Sequence, residues 1–93
     1  MERQLTSFQT ECEKRLTAAL AKAGKRITNR RLDGLSETYI TGNIEGHDIT
    51  YWIYTDMADF AAPSGDRVFE SPDYDSLDDL AGKFVEELVE AAA

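Results

Sequence analysis

Apolar residues recur at spacings of three and four through Leu5, Phe8, Cys12, Leu16, Ala19, Leu20 and Ala23, which is one stripe along an amphipathic helix over residues 2–23. Gly24 suits the left-handed position just past the helix end, and Lys22, Lys25 and Arg26 place positive charge beside the negative end of the dipole. The period then changes to two. ITNRRL, ETYITGNI and DITYWIYT are rich in β-branched and aromatic residues and read as three strands. Asp33-Gly34 and Glu45-Gly46 separate them as two-residue hairpin turns. The first turn pairs Leu32 with Leu35 and sets Ile27 opposite Ile40; the second pairs Ile44 with His47 and sets Ile40 opposite Tyr51 and Thr38 opposite Ile53. Both registers put Ile27, Ile40, Ile44, Ile49, Tyr51 and Ile53 on one face, and Thr28, Tyr39, Thr41, Trp52 and Tyr54 on the other.

Residues 56–66, DMADFAAPSGD, show little periodicity and read as a long loop. RVFES supplies a short fourth strand that Pro72 ends. Asp75 or Ser76 then caps a second helix, whose apolar face is Leu77, Leu80, Ala81, Phe84, Val85, Leu88 and Val89. The expected fold is α+β: an N-terminal helix, a three- or four-stranded antiparallel meander and a C-terminal helix. With one stripe each, both helices lie on the isoleucine face of the sheet. Tyr39, Trp52 and Tyr54 then form an exposed aromatic patch, unless Met57 and Phe60 of the 56–66 loop fold over them.

At 93 residues with 42% hydrophobic side chains, the chain fits a single domain, 1–93. Its net charge of −8 disfavours generic binding to nucleic acid or anionic membrane. The charge is also polarised along the chain: residues 1–31 carry a net +5, residues 32–93 a net −13. If helix 1 packs beside helix 2, its bases meet Glu86, Glu87 and Glu90, in surface pairs worth about 0–1 kcal/mol each. An acidic excess survives that pairing, around Asp56, Asp59, Asp66, Glu70, Asp73, Asp75, Asp78 and Asp79. No apolar run has the length of a membrane span, the start lacks a secretory signal, and Cys12 is alone, so a reducing cytoplasm is the expected location.

Little catalytic chemistry is written in the residues. His47 beside Asp48 offers an acid/base dyad, but no nucleophile is placed next to it. Cys12 sits on the apolar stripe, where a thiol packs and stays inert. Asp73 and Asp75 fit the first and third positions of a calcium loop, yet Leu77, Asp78 and Phe84 occupy its fifth, sixth and last. There is no phosphate loop, zinc spacing or dinucleotide fingerprint, so no cofactor, metal or enzymatic activity is expected. Arg26, Arg30 and Arg31, with Lys22 and Lys25, suit phosphates locally, but the surrounding acids oppose a polyanion, and direct nucleic-acid binding is not expected.

The two striped helices, the ITNRRLDGLSETYITGNIEGHDITYWIYT meander and the acidic segment ESPDYDSLDD give a layout that resembles small phage-encoded anti-CRISPR proteins and the immunity proteins that neutralise nuclease toxins. The resemblance implies an inhibitor that docks on a larger basic nucleic-acid-binding protein, a CRISPR effector or a nuclease toxin, in the cytoplasm of the host cell. Acidic surface and aromatic anchors suit such docking, by occlusion or by mimicry of a nucleic acid. The expected contact residues are Tyr39, Trp52, Tyr54, Asp56, Asp59, Phe60, Glu70, Asp73, Asp75, Asp78 and Asp79, on a monomer or homodimer. The alternative is a small structural or dimerisation module that buries Tyr39, Trp52 and Tyr54 against a second copy.

Overall fold

A computed structural model describes residues 4–47, 49–63, 65 and 67–92 of the chain. The elements run α1 (Ser7–Lys22), β1 (Ile27–Asp33), β2 (Tyr39–Ile44), β3 (Thr50–Ile53), β4 (Ala58–Ala61), β5 (Val68–Glu70), a 3-10 turn (Ser71–Asp73) and α2 (Leu77–Ala92). The five strands form an antiparallel meander in sequence order, one or two strands more than the sequence pattern gives.

Helix α1 starts at Ser7, not near residue 2, because Thr6 and Gln9 make a capping box. The Thr6 hydroxyl accepts the Gln9 N–H at 3.1 Å, and the Gln9 side-chain oxygen accepts the Thr6 N–H at 2.8 Å. At the other end, Lys25 N–H donates to Leu20 O (2.9 Å) and Gly24 N–H to Ala21 O (3.0 Å), with Gly24 at φ +72°. That pair of bonds is a Schellman closure, which favours glycine because the left-handed backbone crowds a Cβ. Ser76 caps α2 by accepting the Asp79 N–H at 3.1 Å.

Both helices cover one face of the sheet. Cys12, Leu16 and Leu20 of α1 and Leu80, Phe84 and Leu88 of α2 share one buried cluster with Ile40, Ile44, Ile49, Tyr51, Ile53, Phe60 and Phe69. The Phe60 ring lies 4.9 Å from that of Phe84 and meets Tyr51 edge-on at 6.2 Å.

The two hairpin registers differ from the expected ones. Asp33 pairs with Tyr39 and Leu32 with Ile40, so the first connection is residues 34–38 and not a two-residue turn. Gly34 (φ +108°) folds this loop so tightly that a Cβ there would lie 2.0 Å from the Glu37 carbonyl oxygen. Ile27 consequently faces Ile44, not Ile40. A bulge between Thr28 and Arg31, with Asn29 at φ 55°, supplies the extra residue that keeps Ile27 and Leu32 both packed against the core. In the second hairpin Ile40 faces Ile53 and Gly42 faces Tyr51, a slip of two residues from expectation. An even slip leaves every side chain on its face, so the division into a core face and an open face holds.

The largest correction concerns residues 56–66. Ala58–Ala61 is a strand that pairs with both β3 and β5, and Phe60 is fully buried beneath the helices. ADFA alternates for only four residues and half of them are alanine, too short and too weak a β pattern to stand out.

Candidate protein-docking face

The face of the sheet turned away from the helices is built in rows by strand register. Arg31 pairs with Thr41, Thr41 with Trp52, Trp52 with Asp59, and Asp59 with Glu70, so one row crosses all five strands. Directly opposite residues share a face, which sets these side chains side by side. Next to the row, the Tyr39 and Tyr54 rings pack tilted, with centroids 5.6 Å apart. Tyr39, Trp52 and Tyr54 are each half-buried. Thr41 fills the floor between them, with its hydroxyl donating to Tyr51 O at 2.9 Å.

Asp59 stands out in this face. Its Oδ1 is buried and has no hydrogen-bond partner among the described residues. Burial pushes its carboxyl above the usual aspartate range. The Tyr54 phenol is raised first by burial, then by the nearby Asp59 charge and by Tyr39. Glu70 lies directly across the ladder from Asp59, and like charges so placed oppose one another.

The remaining expected contact residues divide between two places. Asp56 is exposed in the turn between β3 and β4, beside Tyr54, whose N–H donates to Met57 O at 2.7 Å. Asp73 ends the 3-10 turn after β5 and Asp75 follows it, while Asp78 and Asp79 lie in the first turn of α2 and belong to the helix layer. Phe60 is corrected outright: a fully buried core residue offers no anchor to a partner, and it does not cover the aromatic patch either.

The ion pairs join the two helices at Arg15 and Asp78 and not at the expected Glu86, Glu87 or Glu90, and most of the others lie elsewhere. Arg30 forms a two-pronged pair with Glu13, one arm at 2.9 Å, and Arg26 meets Glu45 at 2.5 Å. Arg15 bridges Glu11 at 3.3 Å and Asp78 at 3.5 Å. Glu87 is taken by Arg67 at 3.0 Å, and no base of α1. Arg15, Arg26 and Arg30 of the basic N-terminal zone are thus met by acids, while no ion pair among the described residues takes Lys14, Lys22, Lys25 or Arg31. Among the described residues no ion pair reaches Asp56, Asp59, Glu70, Asp73, Asp75 or Asp79.

Elsewhere the chemistry is quiet. Cys12 is 2% exposed, and burial, with Glu13 adding to it, pushes its thiol up to about 12. Burial and the Lys25 charge lower the His47 imidazole; Asp48, its partner in the considered dyad, lies outside the described residues, as does Asp66. No group of three metal-ligating side chains occurs among the described residues. No helix among them is long and apolar enough to cross a membrane.

Sequence reasoning missed two features. Gln9, wholly buried, donates through Nε2 to Thr38 O (2.6 Å) and Ile53 O (3.3 Å), pinning the start of α1 to the sheet. The Asp59–Glu70 juxtaposition depends on β4, whose only mark in the sequence is the short alternation of ADFA. No family model matches this chain, and neither the curated proteins nor the solved structures contain a match to it.

Proposed function

We propose that this protein is an acidic protein-binding inhibitor that docks its open sheet face on the basic, nucleic-acid-binding surface of a larger protein, in the manner of anti-CRISPR or toxin-immunity proteins. The observation that carries the reading is the helix-free face, where Tyr39, Trp52 and Tyr54 lie beside carboxylates that no base pairs among the described residues. Aromatic rings on a rigid sheet contribute contact area at small entropic cost, while unpaired acids steer a basic partner into encounter. The net charge of −8 extends that steering over the whole molecule. Binding there occludes the partner's nucleic-acid site, and no catalysis, metal or cofactor enters the mechanism. The place of action is the cytoplasm in which the partner works.

The test compares two charge-reversed proteins in capture from host-cell lysate at low and high salt. Asp56→Lys/Asp59→Lys/Glu70→Lys alters the sheet face, and Asp79→Lys/Glu86→Lys/Glu90→Lys makes the same charge change on the helix layer. The reading expects a basic nucleic-acid-binding protein that is lost with salt, lost from the first variant and kept by the second. Equal retention by both variants refutes it.

A second reading, an isologous dimer through the same face, is favoured by Arg31, which ends the row that Glu70 begins. A two-fold axis along β3 would set Arg31 of each copy over Glu70 of the other. A salt-sensitive dimer mass that Arg31→Glu abolishes selects this reading.

A further inference from the structure

We infer that the groove between α1 and α2, on the side of the helix layer turned away from the sheet, is a contact surface for a second copy of this chain. Arg15 and Lys22 of α1 rim the groove on one side and Asp78 and Glu86 of α2 on the other. Ala19, Ala81, Gly82, Val85 and Val89 lie between them. Ala81 and Val85 are buried, while Val89 is 46% exposed, one of the large apolar side chains left to solvent among the described residues.

Gly82 points to a neighbour over this groove. A glycine in the body of a helix weakens it relative to alanine, and a Cβ built at Gly82 would meet nothing within 4 Å. No contact within the molecule requires the missing side chain, whereas the close approach of another helix does.

The charges on the rims identify the neighbour. Both helices reverse onto the sheet, α1 ahead of β1 and α2 after β5, and β1 and β5 run the same way in the antiparallel meander, so α1 and α2 run in the same direction. Arg15 meets Asp78 at 3.5 Å, and about two turns further along each helix stand Lys22 and Glu86, which have no ion pair among the described residues. A two-fold axis lying along the groove places α1 of each copy over α2 of the other at the same level, and so sets Lys22 against Glu86 twice. An axis across the helices would set base over base.

Two helices of 16 residues, each about 24 Å long and about 10 Å apart, present a footprint of about 480 Å² per copy. That is near the lower bound of specific interfaces, so the dimer forms at high protein concentration and is not permanent. The sheet faces point outward from it. The contact is therefore independent of the function proposed above and distinct from a sheet-to-sheet dimer, and it yields a particle with two docking faces.

The experiment measures mass by sedimentation equilibrium from about 1 μM to about 500 μM protein in about 150 mM salt, which screens the repulsion between two copies of net charge −8. The protein is expected to pass from monomer to dimer over this range. Lys22→Glu sets acid against Glu86 of the other copy, and Glu86→Lys sets base against Lys22, so each variant alone stays monomeric. Mixed in equal amounts, the two variants restore both attractive pairs and form a heterodimer, a rescue that only contact between copies produces. Gly82→Gln fills the open space over α2: its melting temperature at low concentration is expected to match or exceed the parent's, while its dimer is lost. Arg31→Glu leaves the dimer in place. A parent that is monomeric throughout, a Lys22→Glu or Gly82→Gln protein that still dimerises, a mixture that stays monomeric, or a dimer that Arg31→Glu abolishes would each overturn the inference, and none of these results bears on capture by the sheet face.

Discussion

Replacing Gln9 by leucine isolates what one buried amide contributes to the assembly of the fold. Leucine keeps much of the volume, so little cavity opens; what disappears is a set of three hydrogen bonds, to Thr6 N–H (2.8 Å), Thr38 O (2.6 Å) and Ile53 O (3.3 Å). Thr38 is partly exposed and its carbonyl can turn to water. Thr6 is exposed, so its N–H turns to water as well; the carbonyl of the fully buried Ile53 is the group left stranded, at about 1–3 kcal/mol. A domain of this length has roughly 5–14 kcal/mol in all. The loss therefore lowers the melting temperature by about 4–24 °C, at about 4–8 °C per kcal/mol. Thr6→Ala, which removes the cap hydroxyl but leaves Gln9 bridged to both strands, costs only about 1 kcal/mol. Thermal and urea unfolding of the three proteins by circular dichroism decides the matter. If Gln9→Leu melts within a degree or two of the parent, or if Thr6→Ala is the worse of the two, then Gln9 is not what fastens α1 to the sheet.

Gly42→Ala should destabilise by about 1–3 kcal/mol in urea titration, because its methyl would sit 2.9 Å from the Tyr51 hydroxyl and 3.0 Å from the ring, inside a packed core. Tyr51→Phe removes a buried hydroxyl that no described residue hydrogen-bonds, and its stability in urea titration should stay level or rise, by up to about 1 kcal/mol. The same phenol is raised by burial and by Glu13, against the opposing pull of Arg30, so ionising it opposes folding. Wild-type stability should hold below the ordinary tyrosine value and fall as pH climbs above it, and Tyr51→Phe should flatten that fall. Asp59 is raised too, so its folded form prefers the neutral acid: Asp59→Asn should be the more stable protein at pH 7, with the gap closing as pH drops through the carboxylate range. An Asp59→Asn protein that is less stable at neutral pH would contradict the account of an uncompensated carboxylate.

The helices were legible because their stripes are long: seven apolar positions at helical spacing mark α1, and another seven mark α2. The core face of the central strands was legible for a different reason. Side-chain alternation survives an even slip in register, so Ile40, Ile44, Tyr51 and Ile53 are buried although Ile40 pairs with Ile53 and not with Tyr51. What escaped were features set by tertiary context. Asp33-Gly34 looked like a two-residue hairpin, but the chain uses its glycine to turn back within a longer loop, and only the compensating bulge at Asn29 restores the faces. Strand β4 has four residues and gains its identity from neighbours on both sides. Gln9 read as a polar residue in a helix; its buried role depends on the ends of β2 and β3, distant in sequence. Of the expected contact residues, Tyr39, Trp52 and Tyr54 come together because the parity of β2 and β3 is readable, whereas Asp59 joins them and Phe60 departs through β4, a strand the pattern does not reveal.

The bulge in β1 also governs how molecules of this protein meet one another. A meander has two open borders, and a long straight border invites further strands from neighbouring molecules, the route to fibres. Here one border is kinked at Asn29 and carries the exposed Arg30 and Arg31, while the other, β5, is three residues long and runs into Pro72. Neither offers the uninterrupted row of free backbone groups that templated growth requires. Straightening the first border, by deleting Asn29 or replacing its neighbouring arginines with valine, would turn a discrete molecule toward open-ended assembly.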